Sequence, residues 1–129
     1  MIKKYALLLI RIAIAIILIQ TLRFKFTAHP DSVYIFTQVG LEPYGRIGIG
    51  VMELIAAILL LLNTTAWIGA GLTAGIIGGA IMMHLTSLGI EINGDGGQLF
   101  YLAVVTFVLS IILLWMLRKE IPIIKNRFA

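Results

Sequence analysis

Residues 47–62 read IGIGVMELIAAILLLL, a run in which every residue except Glu53 is apolar or glycine. About 20 such residues in a helix cross the hydrocarbon core of a bilayer, so the run indicates a membrane-spanning segment. A carboxylate near the centre of such a helix costs about 3 kcal/mol on insertion scales. Glu53 must therefore be neutralised, paired or hydrated, and what it faces is the first question that the sequence raises.

The composition is typical of an integral membrane protein. Of the 129 residues, 60% are hydrophobic and only 12% are charged, which is more apolar surface than a soluble domain of this length can bury. The net charge of +4 does not indicate nucleic acid as a partner, because the basic residues form no single patch. Many of them lie near the two ends of the chain: Lys3, Lys4, Arg118, Lys119, Lys125 and Arg127.

Hydropathy predicts an all-α fold in which residues 1–129 form a single membrane domain. The expected helices cover about residues 5–22, 46–62, 66–84 and 98–117, with longer loops at 23–45 and 85–97. The link Asn63-Thr64-Thr65 is so short that the second and third helices must be antiparallel neighbours. Four crossings place both termini on one side, and the basic ends favour the cytoplasmic side of the cell (inner) membrane. The prolines Pro30 and Pro43 bound a stretch of the first loop that has the pattern of a short amphipathic helix.

Charged side chains at membrane depth are the candidates for a partner of Glu53. Arg11 lies in the first helix at a height within reach of Glu53, and Arg46 lies seven residues before Glu53 on the same helical face. Either pair would fix the helix register. The alternative is a polar pocket that opens outward and holds a ligand at Glu53, with Lys25 and His84 at its mouth. His84 also suits a helix cap or an interface position, and the spacing of histidines and carboxylates supports no metal site.

Two further features concern packing and helix ends. Gly71, Gly75 and Gly79 repeat every four residues and form one smooth face, which serves either a homodimer or packing within the bundle. We favour packing within the bundle, because any four-helix bundle needs such a face. Asp95 and Gln98 are spaced as a capping box that opens the last helix.

Several short segments, in this order along the chain, resemble the DoxX family of small four-helix membrane proteins. They are Leu9-Ile10-Arg11, Phe24-Lys25-Phe26, Gly40-Leu41-Glu42-Pro43, Met52-Glu53-Leu54, His84-Leu85, and the turn Gly94-Asp95-Gly96-Gly97 before Phe100. The resemblance implies a helix bundle associated with respiratory or detoxifying redox systems. The family's namesake looks like a membrane subunit of a thiosulfate:quinone oxidoreductase, and related branches pair with soluble redox enzymes or assist the assembly of membrane proteins. By the same resemblance, Arg11, Lys25, Glu53 and His84 are the family's polar positions.

Two hypotheses of function follow. In the first, the chain is an accessory protein, and not a stand-alone enzyme, whose pocket near Glu53 binds a small lipophilic molecule such as a quinone; it would then serve as a subunit or companion of a quinone-linked oxidoreductase. In the second, it is an assembly or chaperone-type protein that contacts another membrane protein and binds no ligand. A small transporter is a weaker alternative, because the helices are not interrupted and show no inverted halves. The chain has no cysteine, which excludes thiol chemistry and Cys-ligated metal or iron–sulfur sites within it.

Overall fold

The computed structural model describes residues 2–27, 29–42, 44–90 and 96–118. Within these ranges the regular structure is helical. The elements are α1 (Ile2–Phe26), α2 (Pro30–Gln38), α3 (Tyr44–Leu61), α4 (Ala66–Met83), a single π-helical turn (His84–Leu88) and α5 (Gln98–Met116).

Four helices in the described part of the chain are long and apolar enough to cross a membrane: α1, α3, α4 with the turn that follows it, and α5. The fold is thus that of a multi-pass membrane protein. The largest departure from the expected bounds is in α1, which continues past Leu22 to Phe26. Arg23 and Lys25 end the apolar run without ending the helix, because basic side chains in the last turn interact favourably with the partial negative charge of a helix C-terminus.

The first long loop contains the short helix α2, in the position where the sequence predicts one. Its Ser32 and Phe36 are buried, and the helix contacts α1, α3 and the π-helical turn. α2 therefore folds over one end of the bundle. We refer to this end as the α2 end, and to the opposite end, where residues 62–65 join α3 to α4, as the turn end.

The apolar core lies where α1, α3, α4 and α5 meet. Its fully buried side chains include Ile14 and Leu18 of α1, Leu60 of α3 and Leu113 of α5. The backbones of α3 and α4 come close together near the turn end because Gly69 has no side chain. A Cβ on Gly69 would lie 2.8 Å from the backbone nitrogen of Leu60.

The predicted capping box is not the start of α5. The helix begins at Gln98, directly after Gly97, which has φ 87° and is its N-cap residue. Gln98 is thus the first residue of the helix, whereas a capping box requires it at the third position. Asp95, the other half of the predicted box, lies outside the described residues.

Candidate functional site: a cavity beside a buried ion pair

A partly open cavity of about 310 Å³ lies inside the bundle, toward the α2 end. Its walls come from α1, α2, α3, α4 and α5, and most of the side chains that line it are apolar. The polar members are few and well separated in sequence: Thr21, Lys25, Ser32, Glu53, His84 and Thr106. A mostly apolar pocket with a small number of placed polar groups is the usual form of a site for a small molecule.

Glu53 forms one wall of this cavity and is paired with Lys25. The Lys25 Nζ lies 2.9 Å from the Glu53 Oε1, and the two side chains are 16% and 2% exposed. The hydroxyl of Thr21 lies 3.2 Å from the second carboxylate oxygen, Oε2, and 2.8 Å from the carbonyl oxygen of Leu18. The ammonium group of Lys25 thus compensates the carboxylate at Oε1, and the hydroxyl of Thr21, whose one hydrogen serves either the Leu18 carbonyl or Oε2, lies beside the second oxygen.

The length of α1 and a glycine in α3 make this pairing possible. Thr21 and Lys25 are one helical turn apart, so both face the same side of α1. The Cβ that Gly50 lacks would lie 2.7 Å from the Cε1 atom of Phe26. Gly50 therefore lets the last turn of α1 approach α3 closely enough for the ammonium group of Lys25 to reach Glu53.

Arg11, one of the candidate partners of Glu53, bonds elsewhere in the structure. The Nε of Arg11 donates to the carbonyl oxygen of Leu60 at 2.6 Å, and its second donor reaches the side-chain oxygen of Asn63 at 2.9 Å. Because α1 continues to Phe26, Arg11 lies about 22 Å from the end of its helix, while Glu53 lies about 14 Å from the start of α3. Arg11 instead satisfies a carbonyl at the C-terminus of α3, where helical partners are lacking.

Arg46, the other expected partner, is also engaged elsewhere. Its Nε donates to both carboxylate oxygens of Glu42, at 2.9 and 3.0 Å, and its Nη1 donates to the backbone carbonyl of Lys25. Arg46 therefore positions the backbone of Lys25, whose side chain pairs with Glu53, but does not itself contact Glu53 in the described structure.

His84 lines the cavity from the start of the π-helical turn and is 5% exposed. Its Nδ1 lies 3.0 Å from the carbonyl oxygen of Gly89, and its ring meets the ring of Phe100 edge-on at 5.6 Å between centroids. Since a carbonyl only accepts, Nδ1 carries the hydrogen, and in the neutral ring Nε2 is then an acceptor. This Nε2 makes no hydrogen bond to any residue that the structure describes. A ligand in the cavity could use it.

Among the residues that the structure describes, the three glycines of the four-residue repeat make no close helix contact. Nothing described lies within 4 Å of an added Cβ at Gly75 or Gly79, and at Gly71 only the tip of Leu114 does, at 4.0 Å. Gly75 and Gly79 instead line the cavity. The close contact between α3 and α4 is made by Gly69, which the repeat does not include.

Three polar residues of the cavity wall were not among the predicted site residues: Thr21, Ser32 and Thr106. Thr21 could have been found, because it precedes Lys25 by one helical turn. Ser32 and Thr106 carry no comparable signal, since hydroxyls in helices commonly bond to the carbonyl of the preceding turn, as Thr106 does to Leu102 at 2.8 Å. Among the residues that the structure describes, no three His, Asp or Glu side chains are grouped so as to hold a metal ion.

The chain belongs to the DoxX family, whose family model matches residues 6–86. The matched region runs from α1 into the π-helical turn and so contains Lys25, Glu53 and His84. The glycine-rich turn, Phe100 and α5 lie beyond it. No curated protein and no solved structure gives a significant match to the chain.

Proposed function

We propose that this DoxX protein binds a small lipophilic molecule of the quinone type in the cavity at the α2 end, and that it does so as an accessory protein of a membrane redox system. The observation that carries the proposal is the Lys25–Glu53 ion pair, which forms part of the wall of an otherwise mainly apolar cavity. Such a wall suits a ligand with an apolar body and one or two polar groups.

The polar groups match both oxidation states of a quinone. An ammonium group has three donors, and Glu53 Oε1 engages one of those of Lys25, so another is available for a quinone carbonyl. The hydroquinone has hydroxyl groups that need acceptors, and the Nε2 of His84 and the oxygens of Glu53 provide them. The volume of about 310 Å³ is at the lower end of the range for ligand pockets, which suits a single ring.

Binding of the tail-less ring of ubiquinone to purified protein in detergent tests the proposal. Losing a hydrogen bond to a charged group costs about 1.5–3 kcal/mol, so Lys25→Met should weaken binding roughly 10- to 150-fold. Glu53→Gln should weaken it as well, because the lysine loses its counter-charge and orientation. Arg11→Met is the matched control, since Arg11 is also a buried cation of α1 but does not line the cavity. Equal affinity in wild type, Lys25→Met and Glu53→Gln would exclude this site.

The proposal includes a topology in which the spanning helices are antiparallel and both termini lie on the cytoplasmic side of the cell (inner) membrane. In support, the α1–α3 hydrogen bonds join Arg11 to the end of α3 and the carbonyl of Lys25 to Arg46 near its start. The basic ends of the chain favour the cytoplasmic side. Because the chain has no cysteine, single cysteines at residue 3 and residue 39 can be labelled from each side of intact cells without background. Labelling of residue 3 from outside would refute this orientation.

A redox enzyme that exchanges electrons with the bound quinone is part of the same proposal. Its support is the redox association that the resemblance to DoxX proteins implies, together with a mainly apolar cavity that suits a quinone. Purification from native membranes in mild detergent, followed by assay of quinone reduction, tests it. The quinone reductase activity should copurify with the wild-type chain and decline with Lys25→Met, while Arg11→Met leaves it unchanged. If no quinone reductase activity copurifies with the chain, the association with a redox enzyme is excluded and quinone binding alone stays as the proposed function.

A further inference from the structure

We propose that the ligand is a tailed lipid: its polar ring occupies the cavity, and its hydrocarbon tail leaves over Gly75 and Gly79 of α4 into the bilayer. This inference rests on the proposed function, because it requires the polar ring at Lys25 and Glu53. It adds the chemical class of the ligand and assigns a role to the glycine face.

The exposed members of the cavity wall show where the cavity opens. Among the residues that line it, only Leu41, Gly75 and Gly79 are exposed in the described structure, and the others are buried or half-buried. Gly75 and Gly79 are one turn apart on α4, and nothing lies within 4 Å of an added Cβ at either. Leu41 lies just before α3. The opening is therefore lateral, at the part of α4 that carries Gly75 and Gly79.

The packing of α3 against α4 differs along their length. Near the turn end the two backbones touch: a Cβ on Gly69 would lie 2.8 Å from the nitrogen of Leu60 and 2.9 Å from the carbonyl oxygen of Ala56. Toward the α2 end, Ile49 of α3 and Gly75 of α4 both line the cavity. Gly75 and Gly79 add no side chains to this part of its wall.

A tailed ligand requires such an exit, because the cavity has room for little more than its ring. A volume of about 310 Å³ holds on the order of ten water-sized groups, which is one substituted ring. The hydrocarbon chain of a membrane lipid does not fit in the same space. Independently of the glycines, two features indicate that the enclosed part of the cavity receives a polar head. They are the Lys25–Glu53 pair and the Nε2 of the buried His84, which bonds to no residue in the described part of the chain. The tail must then extend into lipid, and a glycine surface offers it a shallow channel.

The test compares two probes with one ring: the tail-less ring of ubiquinone and the same ring with a decyl tail. Binding of each is measured in nanodiscs for wild type, Gly75→Leu and Gly79→Leu. Gly48→Leu is the matched control, because Gly48 is also an exposed helical glycine with nothing within 4 Å of an added Cβ, but it does not line the cavity. Comparing each variant with wild type for the same probe cancels the partitioning of that probe into lipid.

We expect Gly75→Leu and Gly79→Leu to weaken binding of the decyl probe at least about tenfold, because the leucine occupies the space that the tail needs. The affinity for the tail-less ring should stay within about twofold of the wild-type value. Gly48→Leu should change neither. An equal loss of affinity for both probes would mean that the glycines only shape the part of the cavity that holds the ring. Unchanged affinity for the decyl probe would mean that the tail leaves elsewhere. Either result overturns this inference and leaves the proposed function standing. A change of oligomeric state with unchanged binding would assign the face to a second copy instead. If neither probe binds wild type, the proposed function fails and this inference fails with it.

Discussion

Replacing Lys25 alone should destabilise the protein more than replacing both members of its ion pair. Glu53 is 2% exposed, and Lys25 Nζ is 2.9 Å from its carboxylate. Removing one partner of a buried pair leaves an uncompensated charge and costs about 3–5 kcal/mol. The lower end applies to Lys25→Met, because Thr21 still bonds to the carboxylate and the cavity is partly open. We therefore expect a loss of about 3 kcal/mol in the free energy of unfolding.

Wild type, Lys25→Met, Glu53→Met and the double variant together form a double-mutant cycle. Glu53→Met should cost less than Lys25→Met, since the lysine side chain is 16% exposed and can turn its ammonium toward water. The double variant replaces two charges by two unbranched apolar side chains of similar length, and such replacements are often neutral. We expect it to lie within about 1 kcal/mol of wild type, so the coupling energy should be at least about 2 kcal/mol.

Reversible unfolding in mixed micelles, followed by circular dichroism, measures all four proteins. Arg11→Met should lower the free energy of unfolding by the same amount in each of the four proteins. Arg11 bonds to Leu60 and Asn63 and not to Lys25 or Glu53, so its effect should be additive. The reasoning is refuted if Lys25→Met is as stable as wild type. It is equally refuted if the double variant loses the sum of the two single effects, because the charges would then not compensate each other.

Two other contacts give predictions of stability. Gly69→Ala should cost about 1–3 kcal/mol in the same unfolding assay, because its Cβ would be 2.8 Å from the backbone of Leu60, which cannot rotate away; Gly79→Ala, in open space, should cost nothing measurable. Arg11→Met should cost about 1–3 kcal/mol, since it leaves the Leu60 carbonyl without its donor, and ring binding should stay unchanged. Loss of ring binding in Arg11→Met, or a neutral Gly69→Ala, would contradict the respective contact.

The spanning helices could be predicted from the sequence because hydropathy is a property of each segment alone. In the described residues, the bounds of α3, α4 and α5 differ from the predicted ones by no more than about two residues, a usual uncertainty of helix ends. The exception is α1, where the charges of Arg23 and Lys25 suggested a loop. A basic residue at a helix end signals a boundary to solvent only if its side chain faces solvent, and that of Lys25 faces Glu53.

The site was predicted in part. The sequence singles out Glu53 as the costly group, since its cost follows from the apolar run around it. Which side chain pairs with Glu53 depends on the length of α1 and on the rotation of α1 relative to α3. The spacing of residues within one helix determines neither. The same limit explains the glycines: a four-residue repeat defines one face of α4 but not what it faces. Gly69, outside the repeat, makes the contact, while Gly75 and Gly79 border the cavity.

The double variant of Lys25 and Glu53 also separates stability from function. If it is nearly as stable as wild type, the ion pair is not required for the fold, because two apolar side chains satisfy the same space. The chain nevertheless carries a lysine and a glutamate there, side by side in the wall of its cavity. Under the proposed function, a pair that adds little net stability and borders the cavity serves to bind the polar group of a ligand. The folded double variant should therefore fail to bind the quinone ring; a double variant that binds as wild type does would leave the pair without a functional explanation.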